Sequence, residues 1–175
     1  TRAAYFIFNL KTKKLSRLHE GAKQRYATFS PDGNQVAYVL DNDLFVKNLN
    51  SGKTTRITTD GAENAIINGA SDWVYEEEFA LVRAFEWNPD GTKIAYLRFD
   101  ERRVPEFTME MYRGKDYPET VTFKYPKVGE QNATVTAHIY DLASNITIPV
   151  MLPEDGVGAT ARIAPTGHDE YMTSI

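Results

Sequence analysis

Phe29-Ser30-Pro31-Asp32-Gly33-Asn34-Gln35-Val36-Ala37-Tyr38 recurs further along the chain as Trp87-Asn88-Pro89-Asp90-Gly91-Thr92-Lys93-Ile94-Ala95-Tyr96. Each copy has an aromatic residue, a Pro-Asp-Gly turn and a β-prone run in the same register. Proline presets the first turn dihedral and glycine accepts positive φ, so each copy predicts strand, tight turn, strand. A second pattern occurs three times, as Tyr5-Phe6-Ile7-Phe8-Asn9-Leu10, Leu44-Phe45-Val46-Lys47-Asn48-Leu49 and His138-Ile139-Tyr140-Asp141-Leu142. The first two lead through Lys11-Thr12-Lys13-Lys14 or Asn50-Ser51-Gly52-Lys53 into a further strand. Joined in order, these pieces make a four-stranded antiparallel unit, complete over about Arg25 to Thr58. Such a unit repeated around an axis is a propeller blade. Short alternating strands also suit a sandwich or a barrel, and it is the repeated Pro-Asp-Gly turn that favours the propeller. The expected fold class is all-β: a partial β-propeller of about two to three four-stranded blades with a short inserted acidic helix.

The same reading divides the chain. Residues 1–20 end one blade, 21–60 make a complete blade, 61–84 form an insertion carrying the acidic helix, 85–150 make a blade with an extended arm over about 104–136, and 151–175 lead toward the next blade. A chain that starts at Thr1 on the last two strands of a blade is expected to be part of a larger propeller, whose end faces need neighbours.

Both insertions carry candidate functional residues. Asp72 is a plausible N-cap, and Trp73 to Phe85 lacks Gly and Pro while containing Ala80, Leu81, Val82 and Ala84, which predicts a short helix. Its acidic run, Glu76-Glu77-Glu78, reads either as a solvated face or as a grip for a cation such as a peptide amine. From Val104 to Thr136, Met109, Met111, Tyr112, Tyr117, Phe123 and Tyr125 stand among Lys, Glu and prolines. That stretch is too long for a blade turn and too aromatic for a solvated loop. It reads either as an arm docking on another subunit or as an irregular hairpin of the blade.

With 175 residues, 42% hydrophobic and 12% aromatic, the chain can build a core. A net charge of -4 without a basic cluster argues against nucleic acid as a partner. No apolar run approaches the roughly 18 residues of a membrane span. Zero cysteines exclude disulfides and thiolate zinc sites and leave the compartment open. No G-x-S-x-G elbow occurs, so no serine hydrolase centre is recognisable. His19, His138 and His168 lack metal-ligand spacing. Ser51-Gly52-Lys53-Thr54 resembles the end of a phosphate loop but has Lys47 where glycine is required, so it reads as a hairpin turn. Asp41-Asn42-Asp43 begins like a calcium loop but puts Phe45 at the next ligand position, and it too reads as a turn. Neither catalytic residues nor a metal site nor a cofactor is expected.

Asp72-Trp73-Val74-Tyr75-Glu76-Glu77-Glu78, then Trp87-Asn88-Pro89-Asp90-Gly91, Ile94-Ala95-Tyr96, Val104-Pro105, Tyr117-Pro118, Tyr125-Pro126-Lys127 and Asn132, together resemble the N-terminal propeller of the dipeptidyl peptidase IV family over nearly the whole chain. The resemblance implies an eight-bladed propeller joined to a C-terminal α/β-hydrolase domain with a Ser-Asp-His triad, which removes dipeptides from N-termini with Pro or Ala second. It implies that Glu77 and Glu78 bind the substrate's α-ammonium, whereas Glu76 has no such role. It also implies that the arm, Phe107 to Thr134, helps to build a homodimer, and that the protein works in the periplasm or at the cell surface of a bacterium. A family arginine of the amine site would fall just before Thr1, and Arg2 does not align with it. Because the triad would lie in the hydrolase domain, the segment alone should be inactive. The alternative from another class is a non-catalytic propeller scaffold for protein partners, with Glu76 to Glu78 as surface charge.

Overall fold

The computed structural model describes residues 2–150. The connection expected over 151–175, His168 with it, lies outside the described residues. In chain order the elements are β1 (Phe6–Asn9), β2 (Lys14–Arg17), β3 (Arg25–Phe29), β4 (Gln35–Leu40), β5 (Asp43–Asn48), β6 (Thr54–Arg56), β7 (Ile66–Asn68), helix α1 (Trp73–Phe79), β8 (Phe85–Trp87), β9 (Lys93–Asp100), β10 (Glu106–Met111), β11 (Glu119–Lys124), β12 (Thr134–Asp141) and β13 (Ile146–Pro149). All pairing is antiparallel, in four separate sheets. β1 and β2 pair with each other, β3 to β6 form a meander in chain order, β10 and β11 form a hairpin of their own, and the fourth sheet runs β13-β12-β9 with β7 and β8 both on the far edge of β9.

The repeats seen in sequence are repeats of atoms. In the first Pro-Asp-Gly turn the Gly33 amide donates to the Ser30 carbonyl at 2.9 Å, and in the second Gly91 donates to Asn88 at 3.0 Å. Both glycines have positive φ, 71° and 70°. Asp32 accepts from the Asn34 amide at 3.0 Å and Asp90 from the Thr92 amide at 2.9 Å, the side chain closing the turn in both. The second pattern marks the third strand of each blade. Asn9, Asn48 and Asp141 each end such a strand and accept, through Oδ1, the amides two and three residues on, at 2.9 to 3.0 Å. The Ser51 to Thr54 stretch belongs to the second of these turns.

β4 shows why the blades stack. Its alternate side chains point to opposite faces, and both faces are covered. Val36, Tyr38 and Leu40 pack with Leu18 on the β1–β2 side, whereas Ala37 and Val39 join Leu44, Ile67, Phe85, Ile94, Leu97 and Phe99 in the core shared with the next blade. Lys47, which spoils the phosphate-loop motif, donates to the Leu18 carbonyl at 2.6 Å and so ties its blade to β2.

Asp43 performs a related task between the two larger sheets. Its carboxylate is 1% exposed. Oδ1 accepts from Thr58 Oγ1 at 2.6 Å, the Gly61 amide at 3.0 Å and Asn68 Nδ2 at 3.3 Å, and Oδ2 accepts from the Arg56 guanidinium. Gly61 has to be glycine, because a Cβ there would sit 2.5 Å from the Asn42 carbonyl oxygen. Asp41 and Asn42, both at positive φ, form the two-residue turn that aims Asp43 inward.

The insertion differs from its sequence reading. Ile66–Asn68, inside the stretch given wholly to the insertion, is a blade strand: β7 pairs with Arg98 to Asp100 while β8 pairs with Ile94 to Tyr96 of the same β9. One edge strand is thus split in two, and α1 lies on the excursion between its halves. Backbone bonds close the neck, with Ala84 N donating to Gly69 O at 3.1 Å, Gly69 N to Leu97 O at 3.0 Å and Leu97 N to Ala84 O at 2.9 Å. A three-residue strand without clear alternation carries little sequence signal.

Replacing Asp43 with Ala leaves the Gly61 amide and the Asn68 side chain without their buried acceptor. A loss of about 3 kcal/mol is expected, read as a lowered urea midpoint, and Asp43→Asn should recover part of it.

Candidate functional site

Asp72 starts α1. Its Oδ1 accepts the Tyr75 amide at 3.0 Å, the first turn is closed by Glu76 N donating to the Asp72 carbonyl at 3.1 Å, and the side chain is 6% exposed. Sequence predicts the helix to Phe85, but it stops at Phe79. Ala80 takes left-handed backbone, φ 54°, and its amide and that of Leu81 both donate to the Tyr75 carbonyl. That is a helix-ending arrangement usually built on glycine, so Ala80 conceals the stop from a sequence reading.

Seven residues make about two turns. Val74 and Tyr75 face inward, Tyr75 edge-on to Phe99 with ring centres 5.0 Å apart, while Glu76, Glu77 and Glu78 are all exposed. Glu77 and Glu78 are consecutive, roughly 100° apart around the axis. Glu78 stands one turn beyond Val74 and lines a cleft of about 510 Å³ between α1 and the chain after β11, with Trp73, Phe79, Tyr125, Lys127 and Glu130. Glu77 stands one turn beyond Trp73 and is not part of the cleft wall. Among the described residues no ion pair holds Glu76, Glu77 or Glu78.

Arg25 is the cation whose field reaches this helix from the neighbouring blade. A bulge in β3, with Tyr26 at φ 58°, sets its guanidinium against the Tyr26 ring, where Nη2 donates to Asn42 Oδ1 at 2.7 Å. Burial lowers the pKa of Arg25 and raises that of Tyr26, and the charge of Glu76 pushes both upward.

The helix also rests on the foot of the arm. Trp73 meets Tyr125 edge-on at 4.5 Å, and Tyr125 in turn packs on Phe107 at 5.6 Å. β10 and β11 pair from Glu106↔Lys124 to Met111↔Glu119, a hairpin set apart from both blades between β9 and β12. Met109, Tyr112 and Tyr117 are exposed on it. Two carboxyl groups, Asp72 and Glu101, lie buried. Burial raises the Asp72 pKa to about 6, against the pull of the Tyr75 amide, and burial together with the charge of Asp72 raises Glu101 to about 7. Sequence reading picks out Asp72 but misses Glu101, because nothing in Asp100-Glu101-Arg102-Arg103 sets that residue apart from its charged neighbours.

No cluster of three or more His, Asp or Glu side chains able to hold a metal ion occurs among the described residues. His19 shares a hydrogen bond with the Tyr38 hydroxyl at 3.1 Å, and His138 stacks on Tyr96. No helix among them is long and apolar enough to cross a membrane.

Residues 1–169 match the family described as the dipeptidyl peptidase IV (DPP IV) N-terminal region. The chain belongs to that family. This DPP IV N-terminal region is 42% identical over 180 residues to dipeptidyl peptidase 4 of Trichophyton rubrum, covering 95% of this chain and 23% of that protein. To dipeptidyl peptidase 4 of Sus scrofa it is 40% identical over 145 residues, covering 79% of this chain and 19% of the other. Among solved structures, Porphyromonas gingivalis dipeptidyl peptidase 4 superposes with a TM-score of 0.82 at 44% identity, over 89% of this chain and 22% of that one. The chain thus spans under a quarter of the length of these relatives. The fold is the expected one, an all-β partial propeller with none of its sheets closed.

In this DPP IV region, Ala80→Gly should relieve the left-handed strain at the end of α1. A gain of about 1 kcal/mol in local stability is expected, visible as slower hydrogen exchange at the amides of Ala80 and Leu81.

Proposed function

We infer that this chain is the part of a serine-type dipeptidyl peptidase that holds the α-ammonium of the substrate, through Glu77 and Glu78. One observation carries the reading: the two carboxylates stand exposed on a capped helix, with no ion pair of their own among the described residues, on an excursion rooted in a blade strand. An ammonium offers three donors and a carboxylate only acceptors, so two carboxylates can share one amine through charge-assisted bonds. An amine fixed at one point also fixes register. Only the peptide bond two residues along then reaches a nucleophile set at a constant distance, and the product is a dipeptide. The hydrolase domain of the same protein supplies the Ser-Asp-His chemistry, so this segment by itself cleaves nothing. Peptides with a free N-terminus and Pro or Ala second are its substrates, and the periplasm or cell surface of a bacterium is its place of work.

The arm serves assembly. A two-stranded hairpin is marginal in water without a covering surface, and its exposed Met109, Tyr112 and Tyr117 are of the types enriched at interfaces. A second copy of the protein is the surface we assign to it.

In the full-length peptidase, Glu77→Gln or Glu78→Gln should lower kcat/KM for an Ala-Pro reporter about ten- to a hundredfold, the worth of one charged hydrogen bond. Acetylating the reporter's amine should cost the wild-type enzyme at least as much. Unchanged kinetics in both variants would refute the amine clamp. For the arm, Met109→Glu combined with Tyr117→Glu is expected to convert a dimer to a monomer in light scattering, and an unaltered mass would remove the arm from the interface.

A further inference from the structure

The seven residues of α1 are too few to hold a helix by themselves, since isolated helices shorter than about 12 residues are marginal in water. Packing therefore sets how this helix is oriented. Two ring contacts bear on it from different sides. Tyr75 meets Phe99 of β9 with ring centres 5.0 Å apart, whereas Trp73 meets Tyr125 edge-on at 4.5 Å with the ring planes at 72°. Residues two apart in sequence stand roughly 200° apart around a helix axis. The helix is thus gripped on opposite sides, by a blade strand within and by the foot of the arm without.

Tyr125 is itself held. Its amide donates to the Pro105 carbonyl at 3.0 Å, which carries the β10–β11 pairing one residue past Glu106↔Lys124. Its ring packs on Phe107 at 5.6 Å and on Phe123 at 6.4 Å, and these two cross-strand partners meet each other at 5.9 Å. Beyond Tyr125 the chain turns back on itself: the Lys127 amide donates to the Glu130 carboxylate at 2.7 Å, the Glu130 amide donates to the Lys127 carbonyl at 2.9 Å, and Lys127 Nζ lies 5.7 Å from the centre of the Phe107 ring. Trp73, Glu78 and Tyr125 line one and the same cleft.

We propose that Trp73 and Tyr125 are positioning residues for the Glu77–Glu78 pair, an edge-to-face ring contact that braces α1 against the foot of the arm. The kinetic consequence rests on the amine-clamp reading, and the mechanical one on local geometry. An edge-to-face contact is directional, because the positive edge of one ring meets the negative face of the other, so it resists roll and tilt where aliphatic groups would slide. Glu77 stands one turn, roughly 6 Å, beyond Trp73 along the axis. A helix held from within but not from without can roll about Tyr75. That roll carries the two carboxylates away from a shared ammonium, whose charge-assisted bonds need both acceptors to converge on one point. The brace acts through the pair and sets the angle between its two acceptors.

Steady-state kinetics of the full-length peptidase on an Ala-Pro reporter, free and acetylated at its amine, together with hydrogen exchange of the α1 amides, test the brace. Trp73→Ala and Tyr125→Ala should each lower kcat/KM for the free amine about fivefold, the worth of one aromatic pair, mostly through KM. The acetylated reporter should stay within about twofold of wild type, a split that general damage to the fold does not produce. The double variant should lose no more than either single one, because the two rings make one contact. Tyr125→Phe, which keeps the ring, should behave as wild type; Tyr125→Leu, which keeps bulk without a ring, should behave as Tyr125→Ala and takes its place if the alanine variant does not fold. Exchange at the Tyr75 and Glu76 amides should speed about fivefold in the variants that lose a ring. Losses that multiply in the double variant, or a free-to-acetylated ratio equal to that of wild type while Glu77→Gln still lowers kcat/KM, would overturn the brace and leave the clamp standing. If Glu77→Gln and Glu78→Gln change nothing, the clamp reading falls and exchange alone decides the brace: unaltered rates in Trp73→Ala and Tyr125→Ala reject it.

Discussion

A carboxylate with almost no contact with water joins the two larger sheets. Asp43 receives Thr58, Gly61, Asn68 and Arg56, donors drawn from its own blade, the connection and the next blade. Burying an acid is unfavourable unless its lone pairs are met, so these partners cannot drift independently. Once they are fixed, β7 lies on β9 and the excursion bearing α1 starts from one defined point. The hydrophobic core contributes most of the stability, but it is non-directional and would tolerate a blade rotated slightly on its neighbour. The polar hub removes that freedom, and Gly61 lets the backbone come close enough for it to form.

From there the acidic helix is placed by a short chain of constraints. The neck of the excursion is closed by Gly69, Ala84 and Leu97, the helix begins at a buried cap, and its inner residues press on Phe99 of β9. Glu76, Glu77 and Glu78 are exposed because Val74 and Tyr75 are taken by the core. Three consecutive carboxylates on so short a helix repel one another. The field of Arg25 from the adjacent blade offsets part of this, acting on Glu76 and leaving its two neighbours toward solvent.

How much of this was legible in the chain depended on whether a feature was written locally. The Pro31-Asp32-Gly33 and Pro89-Asp90-Gly91 turns were legible because proline, aspartate and glycine each have their own backbone requirement, and the second pattern was legible as a repeated strand, although the turns that Asn9, Asn48 and Asp141 close with their side chains emerged only in the structure. Asp72 was legible as a cap. The end of α1 was not, because Ala80 occupies a position where glycine would have announced it. β7 escaped because three residues cannot display a period. Glu101 and the hub at Asp43 escaped for a deeper reason: burial of an acid is settled by partners distant in sequence, and Asp41-Asn42-Asp43 looks like any polar turn until Gly61 and Asn68 are set beside it.

The split strand has a consequence for how such proteins change over time. Because β9 runs unbroken past both halves, and because Gly69 and Ala84 are bonded to each other, everything between them hangs from a closed neck. The exposed residues on that loop can be exchanged or recharged without shifting the register of any blade. Natural selection could therefore revise the outer face of the acidic helix while the scaffold below it kept its inherited shape.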